Sequence, residues 1–582
     1  MKFLCVLLCL WTLPVWANHG IALHGTPKLS PGFKHFDYVN PKAPKEGVLT
    51  ASMGHGFDTF NPFSINGIAP AGIHLMHDSL MKASANEPFT QYGLIANDVE
   101  VSSDRRKVIF KLNPKATFSD GTRILPEDII FSFNILKEKG LPQYRVYYQD
   151  VEHANVLDGN RVEFCLKNTQ NRELPLILGQ MPVLSKRYWN DKDFSKTSLD
   201  IPVSSGPYLI KEFQPNRSVT YVRNPNYWAK DLNVNVGFYN FKQIRYDTYL
   251  DSTVTVEAFR SGLTDFHLEN VAKRWHAEQE WPEVKNGQIE AIEVPHHLPS
   301  GMQGFVFNLR NPLFQDIRVR QALTKVLDFE WINKNLFFGL YSRTKSYFDN
   351  SALKAPPLPD REEKKLLNRY KDQLPPGTMD TVFDLPDLSP RQALKEAMEL
   401  LESAGWSVKD NVLQKEGKPF KFTLLLDAIS AQVWERIALP YVARLKRLGI
   451  QVEIQTLDLL QYKTRVDHFD YDMIVFVWGN SLSPGNEQMD YWGSEAADTM
   501  GSTNLTGIKS PVIDALVEEI KSAQTEKQLL TATHALDRVL LHYYLVVPHW
   551  YASVTRLLRK PELQSPSVEP LHGMDLMTWW KK

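Results

Sequence analysis

The run Phe420-Lys-Phe-Thr-Leu-Leu-Leu426 is followed by a helical pattern over residues 431–448 and by the short run Ile450-Gln-Val-Glu-Ile-Gln455. Gly449 separates the helical pattern from the second run and is well placed to end a helix. A further apolar run, Tyr471-Asp-Met-Ile-Val-Phe-Val-Trp478, comes next. Apolar strands that alternate with helices are typical of a parallel sheet covered on both faces. The sequence therefore predicts an α/β fold.

Two helices are predicted on the N-terminal side of this block from their starting residues. Asp316 can cap one helix, and Ser389-Pro390 can open another that runs to Gly405. The apolar residues of the first helix recur at intervals typical of a helix packed on a core, and they are Val319, Leu323, Val326 and Leu327. We therefore expect regular α/β structure in the second half of the chain.

Residues 354–390 interrupt this regular pattern with seven prolines and many charged side chains. Proline lacks a backbone N–H and disfavours helix and strand interiors, and runs of charge are usually solvated. We expect this segment to be a solvated surface insertion.

The 582 residues include 66 lysines and arginines against 67 aspartates and glutamates, a formal net charge of −1. Hydrophobic residues make up 43% and charged residues 23%, which indicates a folded rather than a disordered protein. At roughly 100–200 residues per domain, this length predicts about three to five domains or lobes. The chain lacks the basic excess of a nucleic-acid binder, so no nucleic-acid partner is expected.

Residues 1–17 are typical of a secretory signal peptide. Lys2 gives a positive start, residues 3–16 are almost wholly apolar, and Val15-Trp-Ala17 places small residues where a signal peptidase reads. The run is shorter than the roughly 20 apolar residues that a membrane span needs. Neither Cys5 nor Cys9 fits a lipoprotein signal. We expect cleavage and release into the periplasm without a lipid anchor.

Sequence motifs of common enzymes are absent. The chain contains no G-x-S-x-G nucleophile turn, no G-x-x-x-x-G-K-[ST] phosphate loop and no H-E-x-x-H zinc helix. The pairs His19 with His24 and His296 with His297 have no acidic or cysteine partner at ligand spacing. No catalytic residue, metal site or cofactor is predicted, and a secreted hydrolase of peptides or cell-wall fragments is kept as the enzymatic alternative.

Short sequence blocks follow one another along the chain in a characteristic order. Some of them are Thr59-Phe-Asn-Pro-Phe63, Phe118-Ser-Asp-Gly-Thr122, Ser205-Gly-Pro-Tyr208, Arg223-Asn-Pro-Asn-Tyr-Trp228 and the block from Asn308 to Leu323. Others are Phe36-Asp-Tyr-Val-Asn-Pro-Lys-Ala-Pro44, Asn171-Arg-Glu-Leu-Pro175, Ser346-Tyr-Phe-Asp-Asn350 and Ser483-Pro-Gly-Asn-Glu-Gln488. In this order the chain resembles the extracellular solute-binding proteins of peptide ABC importers, the oligopeptide- and dipeptide-binding family. The second set is most similar to the YejA-type branch of that family.

This resemblance implies a two-lobe clamshell of the class II periplasmic-binding-protein type, with an extra domain inserted in the first lobe. The first lobe would comprise residues 18–70, 203–300 and 530–582, the inserted domain 71–202, and the second lobe 301–529. A bound solute would shift an open population toward a closed one about the crossing segments. The implied partners are a peptide or peptide-like solute and an inner-membrane ABC permease, and we expect a monomer.

The end of the run at Trp478 is a predicted binding position, because ligands in open α/β sheets bind beyond the carboxyl ends of the strands. Trp478 would offer an aromatic wall, while Asn480, Asn486 and Glu487 in the following loop would offer donors and acceptors. Core packing is the alternative for Trp478. A turn residue and a solvated charge are the alternatives for Asn486 and Glu487.

The resemblance adds further candidate contacts. It places Asn66, Gly67 and Ile68 in a loop that faces the ligand, where glycine would let the backbone approach a bound peptide. It also nominates three more positions, which are Asn308 at the start of its block and the aromatic pair Trp550 and Tyr551. Arg465 falls near a family arginine with a one-residue gap and is the candidate anion partner.

The chain departs from the family at two positions of the expected site. An aspartate that holds the peptide α-ammonium is Ser481 here, and an arginine usual within the strand is Val475. An unpaired ammonium in a closed cleft costs several kcal/mol, unless Glu487 serves in place of the aspartate. The predicted cargo is therefore a peptide-like solute that is N-blocked or conjugated. A receptor of the same fold for a sugar, nickel or haem is the alternative.

Overall fold

The computed structural model describes residues 18–169, 171–428 and 430–582, and the predicted signal peptide lies outside them. The chain divides into two compact units. The first consists of Met1–His267, Arg559–Val568 and Asp575–Lys582, and the second of Leu268–Leu558 and Glu569–Met574. These ranges differ from the predicted lobes chiefly over residues 268–300 and 530–558, and the predicted three-part division stays a prediction.

The first unit contains two four-stranded sheets. One has the strand order Val48–Met53, Gln243–Thr248, Ser218–Arg223, Tyr208–Gln214, and the other Ala96–Val101, Lys107–Leu112, Arg161–Leu166, Val151–Asp158. Smaller elements are a sheet of Gly20–Ala22, Thr90–Gly93 and Met81–Ala83 and the strand pair Leu563–Gln564 with Trp580–Lys581. Its helices include Pro126–Lys139, Pro142–Tyr147, Leu174–Gly179, Lys186–Trp189 and Ser252–Arg260, with 3-10 turns at Ile73–Met76 and Leu576–Thr578.

The second unit is built on a five-stranded sheet. Its strand order is Gln451–Leu457, Lys421–Asp427, Met473–Trp478, Met302–Phe307, Val546–Pro548. The first three strands are parallel, as the sequence predicts. Met302–Phe307 runs antiparallel to both of its neighbours. The α/β class is confirmed, and this sheet is mixed rather than wholly parallel.

Helices and smaller strand groups surround this sheet in the chain order of the second unit. The helices are Ala272–Glu278, Pro282–Lys285, Ile317–Val326, Phe329–Leu336, Arg361–Leu367, Pro390–Ser403, Ala431–Arg447, Leu459–Asp467, Glu487–Trp492, Pro511–Ser522 and Glu526–His542. The 3-10 turns are Pro312–Phe314, Asn368–Gln373 and Ala496–Asp498. Further strands are Glu290–Pro295, the group Ser407–Lys409, Val412–Lys415 and Lys418–Pro419, and the pair Ser342–Arg343 with Trp550–Tyr551. Two of the four unit boundaries fall within the strands Phe266–Leu268 and Val554–Arg559. Within the described ranges, no helix combines the length and the apolar character that crossing a bilayer requires.

Both predicted helix starts are confirmed by their caps. The carboxylate of Asp316 accepts the backbone N–H of Arg318 at 2.9 Å, and the Ser389 hydroxyl accepts that of Gln392 at 3.4 Å. The apolar stripe that follows Asp316 is buried in the core of the second unit. Local capping and periodicity were sufficient to predict these elements.

The prediction that residues 354–390 form a solvated insertion is wrong for the middle of the segment. Helix Arg361–Leu367 buries Leu366 and Leu367 in the core, and Glu363 is only 1% exposed. The Glu363 carboxylate is paired with the guanidinium of Arg538 on helix Glu526–His542. The charges of this segment are therefore partly structural, because a partner distant in the sequence neutralises one of them.

Candidate functional site

Several predicted residues of the second unit lie at one edge of its five-stranded sheet. Strand Met473–Trp478 ends there, and its last residue pairs with the first residue of the antiparallel strand Met302–Phe307. On the other side of that strand, the N–H of His549 donates to the carbonyl of Gln303 at 2.8 Å, so Trp550 reaches the same edge. We define the carboxyl edge as Trp478, Trp550 and the residues that follow each of them. Its position agrees with the rule for ligand sites in α/β sheets.

Trp478 occupies the core position that the sequence left open as the alternative. The residue is 1% exposed, its ring centroid lies 4.8 Å from that of Trp492, and its Nε1 donates to the carbonyl of Thr503 at 2.9 Å. Side chains alternate along a strand, so the preceding Val477 points to the other face and is 48% exposed. Trp478 therefore packs in the core next to the carboxyl edge, and its ring is not exposed for contact with a solute.

Asn480 organises the loop that follows Trp478. Its Nδ2 donates to the carbonyl of Tyr347 at 2.8 Å, and its Oδ1 accepts from Nε2 of Gln488 at 2.8 Å. Gln488 is buried, and its Oε1 accepts from Nε1 of Trp492 at 3.2 Å. Sequence reasoning did not single out Gln488, because only its burial distinguishes it from a surface glutamine. The loop is held by amide groups of the chain itself.

Glu487 and Asn486 begin helix Glu487–Trp492 and differ in their surroundings. The two carboxylate oxygens of Glu487 accept the backbone N–H of Gly485 at 3.0 and 3.1 Å, and Oε1 also accepts from Gln488 at 3.1 Å. The side chain of Asn486 is exposed. Glu487 is therefore engaged by N–H donors of its own loop, while Asn486 offers an amide to solvent.

Trp550 and Tyr551 form a short strand that pairs with Ser342 and Arg343. The ring of Trp550 is largely buried, with its centroid 4.7 Å from that of Phe337. Tyr551 is partly exposed, and burial, together with the nearby negative charge of Asp349, raises the pKa of its phenol. Tyr551 thus offers a neutral hydroxyl at the carboxyl edge.

Asn308 and Arg465 have side chains that bind other parts of the second unit. Nδ2 of Asn308, a buried residue, donates to the carbonyls of Phe469 and Tyr471 at 3.0 and 2.7 Å. The Arg465 guanidinium pairs with Asp470 at 3.0 Å and donates to Oε1 of Gln455 at 3.0 Å. Asn308 therefore fixes the turn before strand Met473–Trp478, and Arg465 already has an anionic partner.

The remaining candidates, Asn66, Gly67 and Ile68, form a loop of the first unit. The Asn66 amide donates to the carbonyl of Ser195 at 2.8 Å, and the N–H of Ile68 donates to the Asp58 carboxylate at 2.6 Å. Gly67 has a φ of 85°, and a Cβ there would lie 2.8 Å from the Asp58 carboxylate. Packing within the first unit is therefore sufficient to require glycine at this position, without any contact from a solute. The Ile68 side chain is 56% exposed and offers an apolar contact.

Comparison with known proteins gives the family. Residues 90–500 match the model described as bacterial extracellular solute-binding proteins, family 5 Middle. The chain belongs to this family. The family 5 protein is 39% identical to the probable peptide-binding protein YejA of Agrobacterium fabrum over 582 residues, which cover 97% of this chain and 94% of that relative. It is 35% identical to the peptidoglycan-binding protein YepA of the same organism, with 97% and 94% covered.

The fold of the family 5 protein is similar to that of the oligopeptide-binding protein AppA from Bacillus subtilis, solved in complex with a nonapeptide. The TM-score is 0.63 at 19% identity, over 93% of this chain and 100% of AppA. The family consists of non-enzymatic solute-binding proteins of ABC transporters. The predicted family, fold and receptor class are therefore confirmed, and the hydrolase alternative is not.

Proposed function

We propose that this protein captures a peptide-like solute whose amino end is blocked or conjugated, and delivers it to an inner-membrane ABC permease. The observation that carries the proposal is the state of the acidic groups in loop 479–488. Glu487 is the single acidic residue of that loop, and three hydrogen bonds from Gly485 and Gln488 already engage its carboxylate. Ser481 stands where the family places its ammonium-binding aspartate. A free α-ammonium would therefore find no uncommitted carboxylate there.

The exposed groups of the carboxyl edge suit a solute with peptide-like chemistry. Asn486 offers an amide donor and acceptor, and Tyr551 offers a neutral hydroxyl. Val477, next to this edge, presents an exposed apolar side chain. A few polar contacts with apolar surroundings fix a ligand's orientation while tolerating different side chains. Capture would follow the lobe closure that the resemblance implies, and scattering that shows equal compactness with and without solute would contradict it.

The proposed location is the periplasm, reached by cleavage after Ala17. Intact-mass measurement of the exported protein should give a monomeric chain that begins at Asn18 and carries no lipid. A mass that retains residues 1–17, or that includes an acyl group, would contradict this part of the proposal.

Mass spectrometry of solute released from the purified protein is the first test. The expected result is an unmodified peptide-like compound, and conversion of that compound by the protein would contradict a receptor function. Calorimetry with the N-formylated and free forms of one recovered peptide then tests the blocked amino end. We expect tighter binding of the formylated form, because the free form must bury an unpaired ammonium. Preference for the free form would refute this cargo.

A cell-wall peptide is the second candidate cargo. It is favoured by the 35% identity to a relative named as a peptidoglycan-binding protein. The same mass spectrometry separates the candidates, because cell-wall peptides contain D-amino acids and diaminopimelate or amino sugars. Recovery of a metal complex, haem or a simple sugar would exclude both.

A further inference from the structure

Arg343 carries a charge that its surroundings leave without a partner. Its Nε and Nη2 atoms are buried and donate to no acceptor in the part of the chain that the structure describes. The residue as a whole is partly exposed, so it is not sealed in the core. Burying an ionised group without a partner costs several kcal/mol. The described part of the chain therefore leaves these two N–H groups available to a partner from outside it.

No nearby carboxylate accepts a hydrogen bond from Nε or Nη2 of Arg343 within the described residues. Four carboxylates act on Arg343 from a distance, and they are Glu330, Asp328, Asp384 and Asp387. Asp328 is already paired with Arg444 at 2.8 Å. Asp384 is already paired with Lys345 at 2.7 Å. Burial lowers the pKa of Arg343 to about 10, so the guanidinium keeps its charge at neutral pH.

Polar atoms next to Arg343 also lack hydrogen-bond partners within the described residues. Thr344, the next residue, donates its N–H to the carbonyl of His549 at 3.0 Å, yet its own hydroxyl is buried without a partner. Both ring nitrogens of His549 are buried without a partner. Burial, with Arg343 as the second cause, lowers the pKa of His549 to about 3, so the ring is neutral and adds no charge. Buried polar groups in folded proteins are nearly always bonded, so this concentration at one place is unusual.

Arg343 is placed where a solute is expected. It pairs directly with Trp550 in the short strand that carries Tyr551. The Nε–Nη2 side of a guanidinium presents two parallel N–H groups, which match the two oxygens of a carboxylate or phosphoryl group. We propose that Arg343 binds an oxyanion of the captured solute, a carboxylate or a phosphoryl group, through Nε and Nη2. This inference rests on the proposed function, because it takes the Trp550–Tyr551 strand as solute-facing.

The test uses two free oxyanions as probes of the mature, full-length protein. Inorganic phosphate and acetate are titrated separately at constant ionic strength, with chloride as the reference anion, and the unfolding midpoint is measured by calorimetry. A ligand that binds the folded state raises that midpoint with its concentration. We expect a rise with at least one probe. A phosphate-selective rise assigns a phosphoryl group, an acetate-selective rise a carboxylate, and a rise with both an unselective oxyanion site.

Variants of one residue then assign the effect. Arg343→Gln should weaken the oxyanion affinity by about tenfold or more, the value of a charge-assisted bidentate contact. Arg343→Lys keeps the positive charge but loses the bidentate geometry. Its oxyanion affinity should lie between those of the wild type and Arg343→Gln. Arg318→Gln is the matched control and should respond like the wild type, because Arg318 already forms a bidentate pair with Asp316, with Nη2 2.6 Å from Oδ2.

Three results would overturn the proposal. One is a wild-type protein that responds to neither probe more than to chloride, which would mean that the open N–H groups bind water only. Another is an Arg343→Gln protein that responds as the wild type does. The third is a lower unfolding midpoint for probe-free Arg343→Met, which would make Arg343 a scaffold residue; we expect a higher midpoint, because an unpaired buried charge is removed. None of these readouts depends on peptide capture, so failure here is distinguishable from failure of the proposed function.

Discussion

Arg538 and Arg343 are two arginines of the same unit that have buried guanidinium nitrogens, and they differ in what surrounds those nitrogens. Arg538 is 2% exposed, its Nε pairs with Glu363 at 2.5 Å, and its other nitrogens donate to the carbonyls of Pro356 and Pro357 at 2.7 and 3.0 Å. Arg343 has two buried nitrogens with no such partner. Burial alone therefore does not separate a structural arginine from a recognition residue. The two arginines differ in the number of hydrogen-bonding positions that the chain itself fills, and our proposal for Arg343 rests on that difference.

Trp478 is a structural residue like Arg538, because its one polar atom, Nε1, already donates a hydrogen bond to the carbonyl of Thr503. Trp478→Ala should lower the free energy of unfolding by about 3–5 kcal/mol through the cavity it leaves. Urea denaturation measures this loss. Val477→Ala is the control, since that side chain is half exposed and should cost about 0.5 kcal/mol. Equal stabilities of the two variants would contradict the core role of Trp478 and favour the predicted solute contact instead.

Glu363→Gln tests directly how much the paired arginine, Arg538, depends on its carboxylate partner. The change leaves the Arg538 charge buried without a counter-charge and should lower the free energy of unfolding by about 3 kcal/mol. Glu519→Gln breaks an exposed pair, Arg369 with Glu519 at 2.6 Å, and should cost at most about 1 kcal/mol. Calorimetry and urea unfolding both report the difference. If the two variants lost equal stability, the Arg538 pair would be no more than a surface contact.

The pH dependence of stability tests the surroundings of Arg343. The folded-state pKa of His549 is lowered to about 3, below its usual value of roughly 6.5. Between these values the unfolded chain binds a proton that the folded protein does not, so stability is lost as the pH falls through that window. His549→Phe should therefore lose about 2–3 kcal/mol less than the wild type between pH 6.5 and 4.5. Parallel unfolding profiles of the two proteins would show that His549 is protonated in the fold.

The elements that sequence reasoning predicted are those whose signals are local. The three strands and the helix Ala431–Arg447 of the block between residues 420 and 478 were placed to within about two residues, because apolar runs and Gly449 mark them, whereas helix Leu459–Asp467 was not predicted. The role of Glu363 was missed, because it depends on Arg538, 175 residues later in the chain. Asn308 and Arg465 were nominated as contacts, yet their polar atoms bind the chain itself. Arg343 has no local signal, since only tertiary structure shows that its partners are missing.

Asp537 illustrates how a distant helix prepares the carboxyl edge. Its buried carboxylate accepts the Ser346 hydroxyl at 2.7 Å and the N–H groups of Tyr347 and Ala355 at 2.8 and 2.9 Å. The carbonyl of Tyr347 in turn accepts from Asn480. The loop is therefore assembled before any cargo arrives, and association need not spend conformational entropy on ordering it. A solute can then be retained by few contacts, because the hydrogen bonds of Asp537 and Asn480 have already fixed the loop.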